Sequence, residues 1–266
     1  MSIVIFCYHT PMPLFAKKSL GQNFLIQPQI CIDMTEAGNT SNEDTLIEIG
    51  PGTGMLTKEL LTRAKKVIAL EKDDRLIQPL KEMFSKEIEE GKLELIHTDV
   101  LTYTPPQETY KVIANIPYYI TGKIIRYFLE QKHQPQSMTL LVQKEVAERI
   151  TTKNQKESLL SISIKVFGEP SYYKTVKAGN FRPVPKVDSA ILHIDNISRN
   201  NFLHTYEDTF FDLLHAGFAN KRKKLSTNLK KKVSLETFDS CTIDPHKRAE
   251  DITVNDWLCL SRKMSQ

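Results

Sequence analysis

Short runs of aliphatic and β-branched residues recur along the chain: Leu46-Ile47-Glu48-Ile49, Val67-Ile68-Ala69-Leu70, Leu93-Glu94-Leu95-Ile96, Val112-Ile113-Ala114 and residues 138–142. Between them lie stretches with helical spacing, 55–63 (Leu56, Leu60, Leu61) and 76–90 (Leu76, Leu80, Phe84, Ile88). Near-continuous apolar strands alternating with amphipathic helices predict a parallel sheet covered on both faces. Two later candidates, 172–176 and 190–194, are connected through Phe181-Arg182-Pro183-Val184-Pro185 and suit an antiparallel edge. Beyond about residue 198 the strand signal stops, and residues 202–218 begin a helical, Lys-rich tail. The expected class is therefore α/β, with residues 1–16 as an extension, 17–197 as the sheet domain and 198–266 as a small helical domain.

Apolar residues at 40% and charged residues at 26% support a sizeable core and exclude a disordered or fibrous chain. The net charge of +4 is too small to name a partner, so electrostatics must be read from local clusters. Cys7, Cys31, Cys241 and Cys259 lack metal-clamp spacing and are too sparse for a disulfide scaffold, so free thiols in a reducing compartment are expected. No metal site emerges from the seven histidines. The apolar opening, residues 3–8, lacks basic flanks and is shorter than the ~18 residues of a spanning helix. Residues 1–11 are given no role, and neither a signal peptide nor a membrane segment is expected.

The first strand runs into Gly50-Pro51-Gly52-Thr53-Gly54, and the second ends in an acid, Glu71. In a doubly wound sheet both turns open on one crevice, where the glycines let backbone approach a ligand and the acid accepts ribose hydroxyls; a nucleoside cofactor is expected. No Lys-Ser/Thr follows the glycines, which removes a phosphate-cradling loop. Asp99 closes the third strand and fits two roles equally, acceptor for an adenine amine or helix N-cap. The fourth strand ends in Asn115-Ile116-Pro117-Tyr118. The Asn115 amide oxygen and a carbonyl beside Pro117 can accept the hydrogens of a poorly nucleophilic aromatic amine, and Tyr118 offers a stacking face for a flipped purine. Phe181 could close the opposite face of that base, or be an ordinary core phenylalanine. Residues 218–233 carry seven positive and no negative charges, with Lys221, Arg222, Lys223 and Lys224 consecutive, a pattern suited to phosphate neutralisation. Lys17, Lys18, Lys174, Lys177, Arg182 and Lys186 add to the positive set.

On Gly21-Gln22-Asn23-Phe24-Leu25, Glu48-Ile49-Gly50-Pro51-Gly52, Asn115-Ile116-Pro117-Tyr118, Gln143-Lys144-Glu145-Val146, the Phe181-Arg182-Pro183-Val184-Pro185-Lys186-Val187-Asp188-Ser189 segment and residues 218–225, the chain resembles the 16S ribosomal RNA adenine dimethyltransferase family. The resemblance runs from about Lys17 to the C-terminus. It implies a Rossmann-like class I methyltransferase sheet, mostly parallel with an antiparallel last strand, and a small helical C-terminal domain. It places S-adenosylmethionine against Asn23, Leu25, Gly50, Glu71, Asp99 and Asn115; on the residue argument above, Asn115, Tyr118 and Phe181 are the expected catalytic residues. It further implies dimethylation of two adjacent adenosines near the 3′ end of small-subunit rRNA on the assembling 30S subunit; a cytoplasmic location and a monomer are expected beside it. Ser158-Leu159-Leu160-Ser161 departs from the Gly-Arg or similar pair that relatives often carry before Leu-Ser. Rival readings are a 23S rRNA methyltransferase conferring antibiotic resistance, a small-molecule methyltransferase, and a non-catalytic assembly or transcription factor. The 181–189 segment and Lys-rich tail favour the small-subunit enzyme over the first, the basic patch disfavours the second, and Glu71, Asp99, Asn115 and Tyr118 disfavour the third.

Overall fold

The fold is that of a computed structural model, which describes residues 16–17, 20–151, 156–203 and 205–264; residues 1–11, with Cys7, and Lys18 lie outside the described residues. Its strands are β1 (Phe24–Leu25), β2 (Thr45–Ile49), β3 (Lys66–Glu71), β4 (Leu93–His97), β5 (Lys111–Asn115), β6 (Met138–Gln143), β7 (Glu169–Val176), β8 (Phe181–Arg182) and β9 (Ser189–Asp195). Seven form one sheet in the order β4-β3-β2-β5-β6-β9-β7. The ladders from β4 to β6 are parallel, and β9 joins β6 antiparallel with Leu140 opposite Leu192. Each apolar run of the sequence is thus a strand. Leu46, Ile47, Val67, Ala69, Val112, Ile113 and Ala114 are completely buried, as a sheet sandwiched between helices demands.

The flanking helices are α1 (Pro28–Ala37), α2 (Met55–Arg63), α3 (Asp74–Met83), α4 (Ser85–Glu89), α5 (Thr121–Glu130) and α6 (Lys144–Ile150). One difference from the sequence pattern lies at 76–90, where two helices replace one. The backbone leaves helical geometry at Phe84 (φ −114°, ψ 29°), whose ring is buried against Gly54: a Cβ on that glycine would stand 2.7 Å from it. Periodicity does not reveal the break, because Phe84 keeps its place on the apolar face.

The chain divides into two compact units, one built from residues up to Ala147 with Ser171–Asp195, the other from Glu148–Pro170 and Asn196 onward. Where the sequence pattern suggested one division near 197, residues 148–170 fall in the second unit. The reason is aromatic: Phe167 packs with Phe202 and Phe211, at centroid distances of 5.4 and 6.0 Å. The second unit holds α7 (Leu159–Lys165), α8 (Glu207–Phe218), α9 (Leu225–Leu229), α10 (Leu235–Ser240) and α11 (Val254–Met264). Ser158-Leu159-Leu160-Ser161 is the start of α7: Ser158 Oγ accepts from Ser161 N and Ser161 Oγ from Ser158 N, a reciprocal cap. α8 and α11 meet at Gly217, where a Cβ would lie 2.2 Å from the fully buried Trp257 ring.

The expectation of free thiols is corrected at two positions. Cys241 and Cys259 are disulfide-bonded, their Cα atoms 5.8 Å apart where α10 packs on α11, while Cys31 is free and buried. Eighteen residues of sequence separation hid a pair that helix packing brings together. No helix among the described residues is long and apolar enough to cross a membrane.

Candidate active site

A parallel sheet gathers the C-terminal ends of its strands along one edge, and a crevice opens where successive connections diverge to opposite sides. Here that point lies between β2 and β5. A cavity of about 210 Å³ sits there, walled by the ends of β2, β3 and β5 and by residues 20–24. Gly50, at the end of β2, has φ +67°, and a Cβ on it would meet nothing within 4 Å, so its backbone faces open space on the cavity wall. Gly52 differs: a Cβ there would stand 2.9 Å from the Phe24 ring. Of the first two glycines in the turn, one clears room for a ligand and the other for core packing.

Glu71 ends β3 buried in the same wall. Its Oε2 accepts from Gly52 N (3.2 Å) and its Oε1 from Asp73 N (2.7 Å), so one carboxylate ties together the two strand-to-helix turns. Burial pushes its pKa up, opposed by these backbone hydrogen bonds. The Lys72 backbone also donates to this carboxylate, which leaves at least one acceptor site for a ligand hydroxyl. Glu71→Ala is expected to weaken binding of a nucleoside cofactor by ~1–3 kcal/mol in calorimetric titration. Because protonation begins above the ordinary glutamate range, wild-type affinity should fall as pH is lowered, and Glu71→Gln should remove that dependence.

Of the two sequence readings of Asp99, the N-cap is the one observed. Oδ1 accepts from Leu101 N (3.0 Å) and caps the short turn 100–102, while Oδ2 accepts from Lys72 Nζ (2.7 Å). The Lys72 ammonium holds the Asp99 carboxyl below its usual range. Lys72 carries no motif signal in the sequence; only the adjacency of β3 and β4 brings it to Asp99.

The wall formed by residues 20–24 is held from three sides. Gln22 Nε2 donates to Asp73 Oδ2 (2.9 Å), Asn115 Nδ2 donates to the Asn23 carbonyl (3.0 Å), and β1 pairs with β8. Asp73 is itself buried, caps α3 and is clamped by Arg75, whose guanidinium keeps its carboxyl well below the usual carboxylate range. Asp73 carries no signal in the sequence analysis; its part in fixing this loop is a tertiary fact.

Asn115 ends β5 and Tyr118 follows Ile116-Pro117, both on the cavity wall. With Asn115 Nδ2 committed to Asn23, Oδ1 is the amide atom left to accept a hydrogen bond. Asn23, Gly50, Glu71, Asp99, Asn115 and Tyr118 are thus brought together on one cleft. Leu25 and Phe181 are not: they pair across β1 and β8 as buried core residues and are not on the cavity wall. The core alternative for Phe181 describes its position, because antiparallel pairing turns the ring inward with Phe24 and Leu25. Lys221, Arg222, Lys223 and Lys224 are exposed in the second unit. Of the wider positive set, Lys17 pairs with Asp73, Lys174 with Asp33 and Lys177 with Asp188, leaving their charge partly neutralised.

Two solved structures share this architecture: the 23S rRNA methyltransferase ErmE (TM-score 0.77, 26% identity, 92% of this chain and 100% of that one) and a dimethyladenosine transferase from Plasmodium falciparum (TM-score 0.77, 29% identity, 89% and 95%). Fold and cleft therefore define a class I, Rossmann-like methyltransferase. A family model described as ribosomal RNA adenine dimethylase matches residues 14–266, and the chain belongs to that family. It is 42% identical over 261 residues to the ribosomal RNA small subunit methyltransferase A of Dehalococcoides mccartyi, covering 93% of this chain and 88% of that protein. It is 38% identical over 256 residues to the enzyme of the same name from Clostridium botulinum, covering 92% of each.

Fold and family imply S-adenosylmethionine as the methyl donor, and the wall residues fit it. An open, positive-φ glycine, a buried carboxylate with an acceptor site to spare and a second carboxylate on the neighbouring strand suit a nucleoside carrying a ribose diol and an adenine amine.

Proposed function

We propose that this protein dimethylates the exocyclic N6 amines of two adjacent adenosines in the 3′-terminal hairpin loop of small-subunit rRNA during ribosome biogenesis. The observation that carries the reading is Asn115: its amide nitrogen is fixed by the Asn23 carbonyl beside the Glu71 wall, and its oxygen is left to accept from a substrate amine.

S-adenosylmethionine supplies an electrophilic methyl group on a sulfonium centre. Glu71 would hold the ribose hydroxyls and Asp99 the adenine amine of that cofactor. Asn115 Oδ1 accepts one hydrogen of the target amine and, with a carbonyl beside Pro117, favours a pyramidal nitrogen whose lone pair is directed outward. Tyr118 gives the extruded purine a face to stack on. These residues contribute positioning and hydrogen-bond acceptance. As the amine nitrogen takes the methyl group, the sulfur–methyl bond would break to leave a neutral thioether. No base need act beforehand, because the amine becomes acidic only once it carries the new methyl group, and its proton then leaves to solvent or to a nearby carbonyl.

Lys221 to Lys224 would neutralise rRNA phosphates. Replacing all four with neutral residues should weaken RNA association and flatten the plot of log affinity against log salt by about 0.7 to 0.9 for each phosphate no longer neutralised. Cofactor affinity should not move. Equal salt slopes before and after replacement would make this segment a solvated surface.

The deciding experiment maps methylated adenosines in rRNA from cells with and without the gene. Loss of two adjacent dimethyladenosines from small-subunit rRNA is expected; loss from the large subunit instead would favour the activity named for the ErmE structure.

A further inference from the structure

Tyr118 is held at two ends. Its backbone lies in the turn Tyr118–Ile120, where the Tyr118 carbonyl accepts from Thr121 Oγ1 (3.1 Å) and the Pro117 carbonyl from Ile120 N (3.3 Å). Its phenol oxygen lies 2.6 Å from Ser189 Oγ. Ser189 is fully buried at the start of β9, in register with Gln143 of β6. The residue before it is equally fixed: the Asp188 carbonyl accepts from Lys144 N (3.0 Å), and its carboxylate from Ala178 N (3.0 Å) and Lys177 Nζ (2.8 Å). The hydroxyl therefore meets a rigid partner.

A half-buried tyrosine with a solvated hydroxyl can tilt about χ1 and χ2, whereas one hydrogen-bonded at its far end to an immobile strand keeps one ring plane. On the reading that Tyr118 stacks on the target purine, we infer that Ser189 is a positioning residue that fixes the pitch of the Tyr118 ring, and through it the register of the base for the second methyl transfer. The two transfers differ in tolerance. An unmethylated amine offers two hydrogens to the acceptors around Asn115, so a tilted base still finds one. A monomethylated amine offers one hydrogen and carries a methyl group that must be turned aside, so the same tilt costs more. Removing the Ser189 hydroxyl should therefore act mainly on the second step.

The test compares wild type, Ser189→Ala, Tyr118→Phe and the double variant in single-turnover reactions on small-subunit rRNA particles, with mass spectrometry resolving mono- from dimethyladenosine. Each single variant is expected to slow the second transfer about fivefold more than the first and to accumulate monomethyladenosine. The double variant should match either single one, because both substitutions remove one hydrogen bond. Ser189→Ala should keep wild-type cofactor affinity, which a general loss of structure would not. Should Ser189→Ala fail to fold, Tyr118→Phe removes the same bond from its accessible end and carries the test. An active wild type with unchanged product ratios in both single variants, or multiplicative effects in the double variant, would overturn the positioning role alone. A wild-type protein that leaves these adenosines unmethylated would overturn the functional reading and the inference with it.

Discussion

Asn115→Ala is expected to lower the single-turnover rate of methyl transfer about 100-fold while leaving rRNA affinity within about twofold. The magnitude is that of removing one preorganised polar group aimed at the reacting centre. The partition follows from position: Asn115 is one small side chain at the end of β5, whereas RNA affinity comes mainly from phosphate contacts spread over a larger surface. Part of the loss will come through the cofactor wall, because Asn115 Nδ2 also secures the Asn23 carbonyl. Measuring the rate at saturating S-adenosylmethionine separates the two. Tyr118→Ala should differ in kind, reducing base stacking and rate together by about 1–3 kcal/mol each. A wild-type rate and product ratio for Asn115→Ala would make the Asn115–Tyr118 segment a structural turn and remove the basis of the mechanism.

Glu48→Gln should abolish a pH dependence of stability that the wild type shows across neutrality. Glu48 lies one residue before the end of β2, 1% exposed, and its Oε2 is buried without a partner among the described residues. Burial pushes its carboxyl from the ordinary 4.5 up to about 8, against hydrogen bonding from Thr57 and with added repulsion from Glu71. Between those two values the folded protein keeps a proton that the unfolded chain has released. Stability is therefore greatest below about pH 4.5 as far as this group is concerned, and declines as pH rises through about 8, by roughly 3–5 kcal/mol in all. Asp73 has the opposite sign: its lowered pKa adds stability above the ordinary aspartate range that is lost in acid, outside this window. Urea denaturation of wild type and Glu48→Gln at pH 5, 7 and 9 should give curves that diverge steadily, the variant gaining relative to the wild type. Parallel curves would show that Glu48 is ionised in the folded protein.

Much of this molecule follows from local pattern. Period and β-branching located the central strands β2, β3, β5 and β6, because a strand buried on both faces has few polar positions to dilute its signal. The glycine turn, Glu71 and Asp99 were legible for a related reason: in a parallel sheet the strand ends meet at one crevice whatever the intervening helices contain. The family motifs added Asn23. Local pattern could not supply contacts whose partners are far apart in sequence. Gln22 is 51 residues from Asp73, Asn115 is 92 from Asn23, and Tyr118 is 71 from Ser189, so no periodicity joins them. For the same reason Phe181 had two readings until pairing of β8 with β1 placed it in the core, and Cys241 and Cys259 read as separate thiols until α10 and α11 closed on each other. Side-chain periodicity records which face of an element is buried; it holds no information on which distant residue lies across that face, and that choice is made only when the elements pack.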